Sequence, residues 1–203
     1  MDAVSFHLYP FGRTPEQAMD YECERILSSV GNKPMWITET GYPTVQTSEE
    51  DQANFIVRIY LLGRSIPQLR RIFWYDLQDD CGDPTNAECR WGILREDRSP
   101  KLAYASLRTL AATIGSKPFV SMMRDNNEYV GRFGTPGNQV IAFWRPSGQS
   151  TKVINVGSKY FALVDRDGRT QTFIVPESLA VVTLLPKVQY IVPLAAPRSG
   201  LAQ

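Results

Sequence analysis

Lys33-Pro34-Met35-Trp36-Ile37-Thr38-Glu39-Thr40-Gly41-Tyr42-Pro43 sets an apolar run directly against a carboxylate and a turn. Pro34 to Thr38 reads as a buried strand, and Gly41 permits a sharp turn just beyond it. A carboxylate that follows such a strand belongs in a polar cavity, because burying its charge unpaired is costly. Period-two alternation predicts that Met35, Ile37 and Glu39 share one face. Thr47 and Glu50 then form a capping box, and Ala53, Ile56, Val57, Tyr60 and Leu61 make the apolar stripe of a helix.

The same strand–turn–helix order stands on either side. Upstream, Val4-Ser5-Phe6-His7-Leu8-Tyr9 alternates and Pro10 ends it. Thr14, Pro15 and Gln17 supply an N-cap, an N1 proline and a capping-box partner. Met19, Cys23, Ile26, Leu27 and Val30 follow at helical spacing, and Gly31 stops the helix. Downstream, Arg71-Ile72-Phe73-Trp74-Tyr75 reads as a strand, followed by a long loop from Asp76 to Ser99. Ser99 and Pro100 predict the start of a third helix, whose buried face is Ala103, Leu107, Leu110, Ala111 and Ile114. Gly115 occupies the C′ position.

After Lys117 the helical period is lost. Alternating runs near 119–124, 128–134, 139–145, 151–156, 160–164, 170–175 and 180–185 are separated by Gly-, Pro- and Asp-rich turns. They predict an all-β, sandwich-like module over 117–192. A disordered tail is expected over 193–203. Three βα units cannot close a barrel of eight parallel strands, and alone they leave long parallel edges open. The fold expected is therefore α/β: the last three units of a (β/α)8 (TIM) barrel over 1–116, then the β-module. A complete small three-layer domain is the rival.

Composition excludes several roles. The net charge is +1 and hydrophobic residues make up 43%. That balance gives no reason to expect nucleic acid or an anionic membrane as a partner. No apolar run reaches the roughly 18 residues of a membrane span. One histidine and scattered carboxylates make no zinc site, and there is no glycine-rich phosphate loop, so neither a metal nor a cofactor is expected. Asp76, Asp79, Asp80 and Asp83 form an acidic group that reads as a solvated loop, with a calcium ion or sugar hydroxyls as its alternative ligands. Cys81 and Cys89 are spaced for a small disulfide loop, which implies an oxidising compartment. Cys23 falls on a helix's apolar face as a small core residue. The chain opens inside a strand with no signal peptide. A secreted or periplasmic protein whose signal lies in a missing N-terminal part is expected, with the cytoplasm as the alternative.

Strand ends are where a barrel keeps its active site. Here they carry His7, Tyr9 and Pro10; Glu39, Thr40, Gly41 and Tyr42; and Trp74 and Asp76. Trp36 to Pro43 resembles the seventh strand of clan A glycoside hydrolases, Asp2 to Pro10 resembles the sixth, and Ile72 to Tyr75 the eighth. Their order, their spacing and the trailing β-module are similar to family 39-like and family 5-like members. The resemblance implies a retaining hydrolase of O-glycosidic bonds in an oligo- or polysaccharide, with Glu39 as nucleophile. It implies Trp74 as a sugar-stacking floor and His7, Tyr9, Tyr42 and Asp76 as substrate-binding residues. Of the first two, Tyr9 is the better placed to hydrogen bond the Glu39 carboxylate and favour its ionised form. The family's acid/base, a glutamate ending the fourth strand, has no counterpart: Asn86-Ala87-Glu88 and Asn127-Glu128 both lie away from barrel strands. The full-length protein is thus expected to be an enzyme with a carbohydrate substrate, and this chain to be inactive alone. The alternative is a non-catalytic carbohydrate-binding or scaffold protein with a barrel remnant. Neither the oligomeric state nor the glycan is legible.

Overall fold

A computed structural model describes residues 2–10 and 12–196. The chain divides into two compact units, Met1–Ala111 and Ala112–Gln203.

The first unit is built on a parallel sheet in the order β1 (Val4–Leu8), β2 (Met35–Thr40), β3 (Leu69–Trp74). Two helices connect the strands, α1 (Pro15–Val30) and α2 (Glu49–Gly63). Thr14 caps α1 as the sequence predicts, with Gln17 returning the bond to the Thr14 N–H. Leu8, Met35, Ile37 and Thr40 are fully buried, as are Ala18, Met19 and Cys23 of α1 and Ala53, Ile56, Val57 and Leu61 of α2. Truncating a buried Leu, Ile or Met to alanine in such a layer costs about 2–5 kcal/mol. Arg58 of α2 and Glu16 of α1, both buried, pair at 3.8 Å between the helices. The other face of the sheet is open: Trp36 is 41% exposed and Phe73 48%.

Two helix starts differ from expectation. Ser48, not Thr47, caps α2, because its hydroxyl accepts the Asp51 N–H at 3.0 Å and donates to that carboxylate. The third helix, α3 (Leu102–Thr113), begins after Pro100 rather than at it. Pro100 instead bridges Leu94, and the Lys101 N–H donates to Ile93 O, so the chain is committed to a tight reversal there.

The second unit is all β. β4 (Phe119–Asp125), β5 (Glu128–Thr135), β6 (Asn138–Trp144), β7 (Ser150–Asn155), β8 (Tyr160–Asp165), β9 (Thr170–Ile174) and β10 (Leu179–Leu184) lie near the alternating runs. An eighth strand, β11 (Gln189–Pro193), was not foreseen and sits centrally, between β6 and β8. Its Tyr190 and Ile191 are both fully buried, so the run carries no alternation to read. The six-stranded sheet β4-β5-β6-β11-β8-β9 and the ribbon β10-β7 share one apolar cluster. Ile141, Phe143 and Ile191 come from the sheet, and Ile154, Val182 and Leu184 from the ribbon. Pro193, placed at sequence level in a disordered tail, ends β11, and the Leu194 N–H donates to Tyr160 O. The rest of that tail, 197–203, lies outside the described residues.

Candidate active site

β2 carries one residue more than either neighbour near its C-terminal end. On the β1 side Phe6 pairs with Ile37 but His7 pairs with Glu39. On the β3 side Ile72 pairs with Ile37 while Trp74 pairs with Thr40. Thr38 is the extra residue, and its hydroxyl donates to Phe6 O at 3.2 Å. A bulge of this kind reverses the alternation beyond it. Met35, Ile37 and Thr40 therefore lie on the helix-covered face, and Glu39 turns to the open face with Trp36 and His7. The expected grouping of Met35, Ile37 and Glu39 on one face is thus corrected: Glu39 faces the cavity side by way of the bulge, while its apolar neighbours face the helices.

Glu39 has two close partners. The Tyr9 hydroxyl donates to Oε2 at 2.7 Å, and His7 Nδ1 lies 3.2 Å from the same oxygen. The carboxylate remains 37% exposed and His7 53%. Burial, then the Glu39 carboxylate it donates to, pushes the Tyr9 phenol well above its usual range, so Tyr9 stays a donor. Arranged this way, Glu39 is a part-exposed carboxylate oriented through one oxygen by two neighbours.

Trp74 does not share the open face with Glu39. Trp74 pairs in register with Thr40, on the covered face, and its ring stacks on Tyr42 at 6.4 Å. Its Nε1 is buried without a hydrogen-bond partner among the described residues. Tyr75, one residue on, takes the open face. Its N–H donates to Thr40 O at 2.7 Å, and its ring meets Trp91 edge-on at 5.9 Å. Trp91 also meets Tyr9 edge-on at 5.2 Å. Tyr9, Tyr75 and Trp91 thus form an aromatic group that includes the phenol bonded to Glu39. Burial first, and the surrounding acidic groups with it, raises the Tyr75 phenol. Tyr42 is 4% exposed, donates to Arg13 O at 3.1 Å and packs on Phe55 at 4.6 Å, the contacts of an anchoring residue.

Gly41 is required where it stands, because a Cβ there would collide with the Tyr75 carbonyl and crowd the Trp91 ring. Gln52, which the sequence reading passed over, joins the same segments. Fully buried on α2, it donates to Tyr42 O at 2.8 Å and lies 3.3 Å from Trp91 O. A polar residue beside the apolar stripe of α2 was the available signal.

Beyond β3, the peptide between Tyr75 and Asp76 is cis. Asp76 is held by backbone bonds to Trp91 and Ile93, and its Oδ1 is buried with no partner among the described residues. Burial, with Asp80 and Asp79 nearby, raises its carboxyl to about 6. No contact joins it to Glu39 among those described. The acidic group is not a solvated loop throughout. Asp79 is 3% exposed, pairs with buried Lys101 at 2.7 Å and accepts the Gly92 N–H at 3.0 Å. Among the described residues no three side chains form a metal-binding group. Cys81 and Cys89 are disulfide-bonded, with their Cα atoms 4.9 Å apart, and Cys23 is a buried free thiol.

Residues 1–92 match the family model described as the glycosyl hydrolase catalytic core. The match spans the bulge, Glu39 and the Trp91 loop. Among solved structures, a family 39 glycoside hydrolase from the gut symbiont Bacteroides cellulosilyticus is 25% identical with a TM-score of 0.79, over 96% of this chain and 44% of that one. A family 30 endoxylanase from Clostridium papyrosolvens has a TM-score of 0.59 at 16% identity, over 96% of this chain and 49% of that one. A family 30 subfamily 8 xylanase from Clostridium acetobutylicum has a TM-score of 0.56 at 12% identity, over 82% and 44%. The last two likenesses concern the fold alone. No curated protein matches the chain. Residues 1–92 are thus similar to a glycoside hydrolase catalytic core, and the chain spans less than half the length of these structures.

Proposed function

We propose that the protein is a retaining glycosidase in which Glu39 attacks the anomeric carbon. The observation that carries this reading is the pairing of Glu39 with Tyr9 at 2.7 Å and His7 at 3.2 Å at the C-terminal ends of parallel strands. β1, β2 and β3 are read as strands six, seven and eight of a (β/α)8 barrel, with the second unit as a sandwich-like accessory module. Attack by Glu39 forms a glycosyl-enzyme ester, which water then hydrolyses. The partner acid, about 5 Å from the nucleophile in retaining enzymes, protonates the leaving oxygen and later activates that water. This chain supplies no strand-four glutamate, so by itself it does not turn over. The substrate is an O-glycosidic bond of an oligo- or polysaccharide, with Tyr9, Tyr75 and Trp91 offering apolar surface to sugar C–H faces. The Cys81–Cys89 bond supports a secreted or periplasmic location.

The test is covalent trapping. The barrel is completed with the five preceding βα units from its own gene or a relative's, and the protein is incubated with a 2-deoxy-2-fluoro glycoside carrying a good leaving group. Peptide mass spectrometry is expected to find the sugar ester on Glu39. A label on another carboxylate, or turnover without a covalent species, overturns the assignment.

A further inference from the structure

One buried side chain ties together the segments that follow β2 and β3. Gln52 of α2 is fully buried. Its Nε2 donates to Tyr42 O at 2.8 Å and lies 3.3 Å from Trp91 O and 3.4 Å from Gly92 O. Three carbonyls around one nitrogen fix the direction of the amide, because the flipped orientation would set oxygen against oxygen. Tyr42 stands three residues after Glu39, and Trp91 belongs to the loop beyond β3. The Trp91 carbonyl also accepts the Asp76 N–H at 3.3 Å, so it is held from α2 and from the end of β3 together. The Trp91 ring lies close against Gly41, where even a Cβ would come within 3.0 Å of it.

We infer that Gln52 is a positioning residue for Glu39, acting through Trp91 and Tyr9. The route has three links. The amide holds the Trp91 backbone, the Trp91 ring meets the Tyr9 ring at 5.2 Å, and the Tyr9 hydroxyl donates to Glu39 Oε2 at 2.7 Å. His7 also meets the Tyr9 ring edge-on, at 6.3 Å, so Trp91 is the closer of its two aromatic neighbours. A hydrogen bond weakens steeply as its angle closes, so the direction of the phenol decides how well Tyr9 holds the carboxylate. An apolar side chain would fill the place of Gln52 but leave buried carbonyls without that donor, and the Trp91 segment would move to find another. This role rests on the reading of Glu39 as nucleophile only for its effect on rate, since the contacts need no turnover.

The 203-residue chain serves for the test. NMR follows the Tyr9 ring and the Trp91 indole, and the coupling of Tyr9 to Glu39 is read as the change that Glu39→Gln causes in the Tyr9 ring signals. In a Gln52→Leu background the indole signal should move and that change should largely disappear. Ile56→Ala, at a fully buried position on the same helix, is the comparator: it removes packing without touching the amide and should leave the coupling intact. Gln52→Met replaces Gln52→Leu where the latter does not fold. In the completed barrel, Gln52→Leu should lower kcat by up to about a hundredfold with KM little changed, the effect of misplacing a reacting group by about 1 Å. Coupling that survives in Gln52→Leu, an equal loss in Ile56→Ala, or failure of both Gln52 variants to fold overturns the inference. Such a failure leaves the trapping result on Glu39 untouched, and a label on another carboxylate leaves the coupling result untouched.

Discussion

His7 and Glu39 are cross-strand partners only because Thr38 is surplus in β2. Without that extra residue, alternation from Met35 and Ile37 would turn the carboxylate of Glu39 under the helices. The chemistry proposed for the chain thus depends on a local irregularity in an otherwise regular strand.

In the completed barrel, Glu39→Gln should fold and bind sugar but lose kcat by about a thousandfold or more, with KM little changed. The amide matches the carboxylate in size but can neither attack the anomeric carbon nor offset oxocarbenium charge. Azide added to Glu39→Gly should restore part of the rate. Steady-state kinetics on the three proteins decide it, and a near-wild-type kcat for Glu39→Gln overturns its role as nucleophile.

Trp74 and Tyr75 should separate cleanly. Trp74→Ala empties a site packed on Tyr42 beneath the sheet and should cost about 3 kcal/mol of stability. Tyr75→Ala should leave the melting temperature nearly unchanged and raise KM. Paired denaturation and kinetic measurements check this; the opposite pattern would restore Trp74 as the sugar floor.

Asp76 gives stability an unusual pH dependence. Its folded pKa is raised to about 6 from an ordinary 3.8, so between those values the folded chain binds more protons than the unfolded one. Stability therefore falls as pH rises through that window and levels off above it. Asp76→Asn should be neutral near pH 4 and more stable than the parent near pH 8. The gain should be about 1 kcal/mol once the shift is discounted for solvent screening of a part-exposed group. Melting curves across that range test it, and an equal gain at both ends would refute it.

Lys101→Met should be among the most damaging substitutions in the first unit. It leaves the buried Asp79 carboxylate without its 2.7 Å partner, and breaking such pairs costs about 3–5 kcal/mol. The double variant with Asp79→Asn should recover much of that loss, as a double-mutant cycle would reveal.

Much of this was legible from residue order. The capping box at Thr14, the stripe of α2 and the turns of the second unit are local signals, and α1, α2 and seven of the eight β-module strands fell near the predicted places. Glu39 was singled out as a carboxylate at the end of an apolar strand, a feature of the sequence itself. Its face was assigned from an alternation that the bulge cancels, because a bulge exists only relative to neighbouring strands and leaves no mark in β2 itself. Trp74 was given its sugar-stacking role by resemblance alone, and residue order does not show that its ring packs on Tyr42. Gln52 and β11 escaped because their roles are set by what packs on them, far away in sequence.

The disulfide has a consequence for biogenesis. Cys89 lies two residues before Trp91, whose ring meets those of Tyr9 and Tyr75. Gln52 holds the Trp91 backbone in either redox state, whereas the tie at Cys89 forms only when an oxidant has removed two electrons from a pair of thiols. Preparations from a reducing host and from an oxidising one would then differ in how the segment before Trp91 is tied down. The provenance of the material therefore belongs among the variables of any carbohydrate screen.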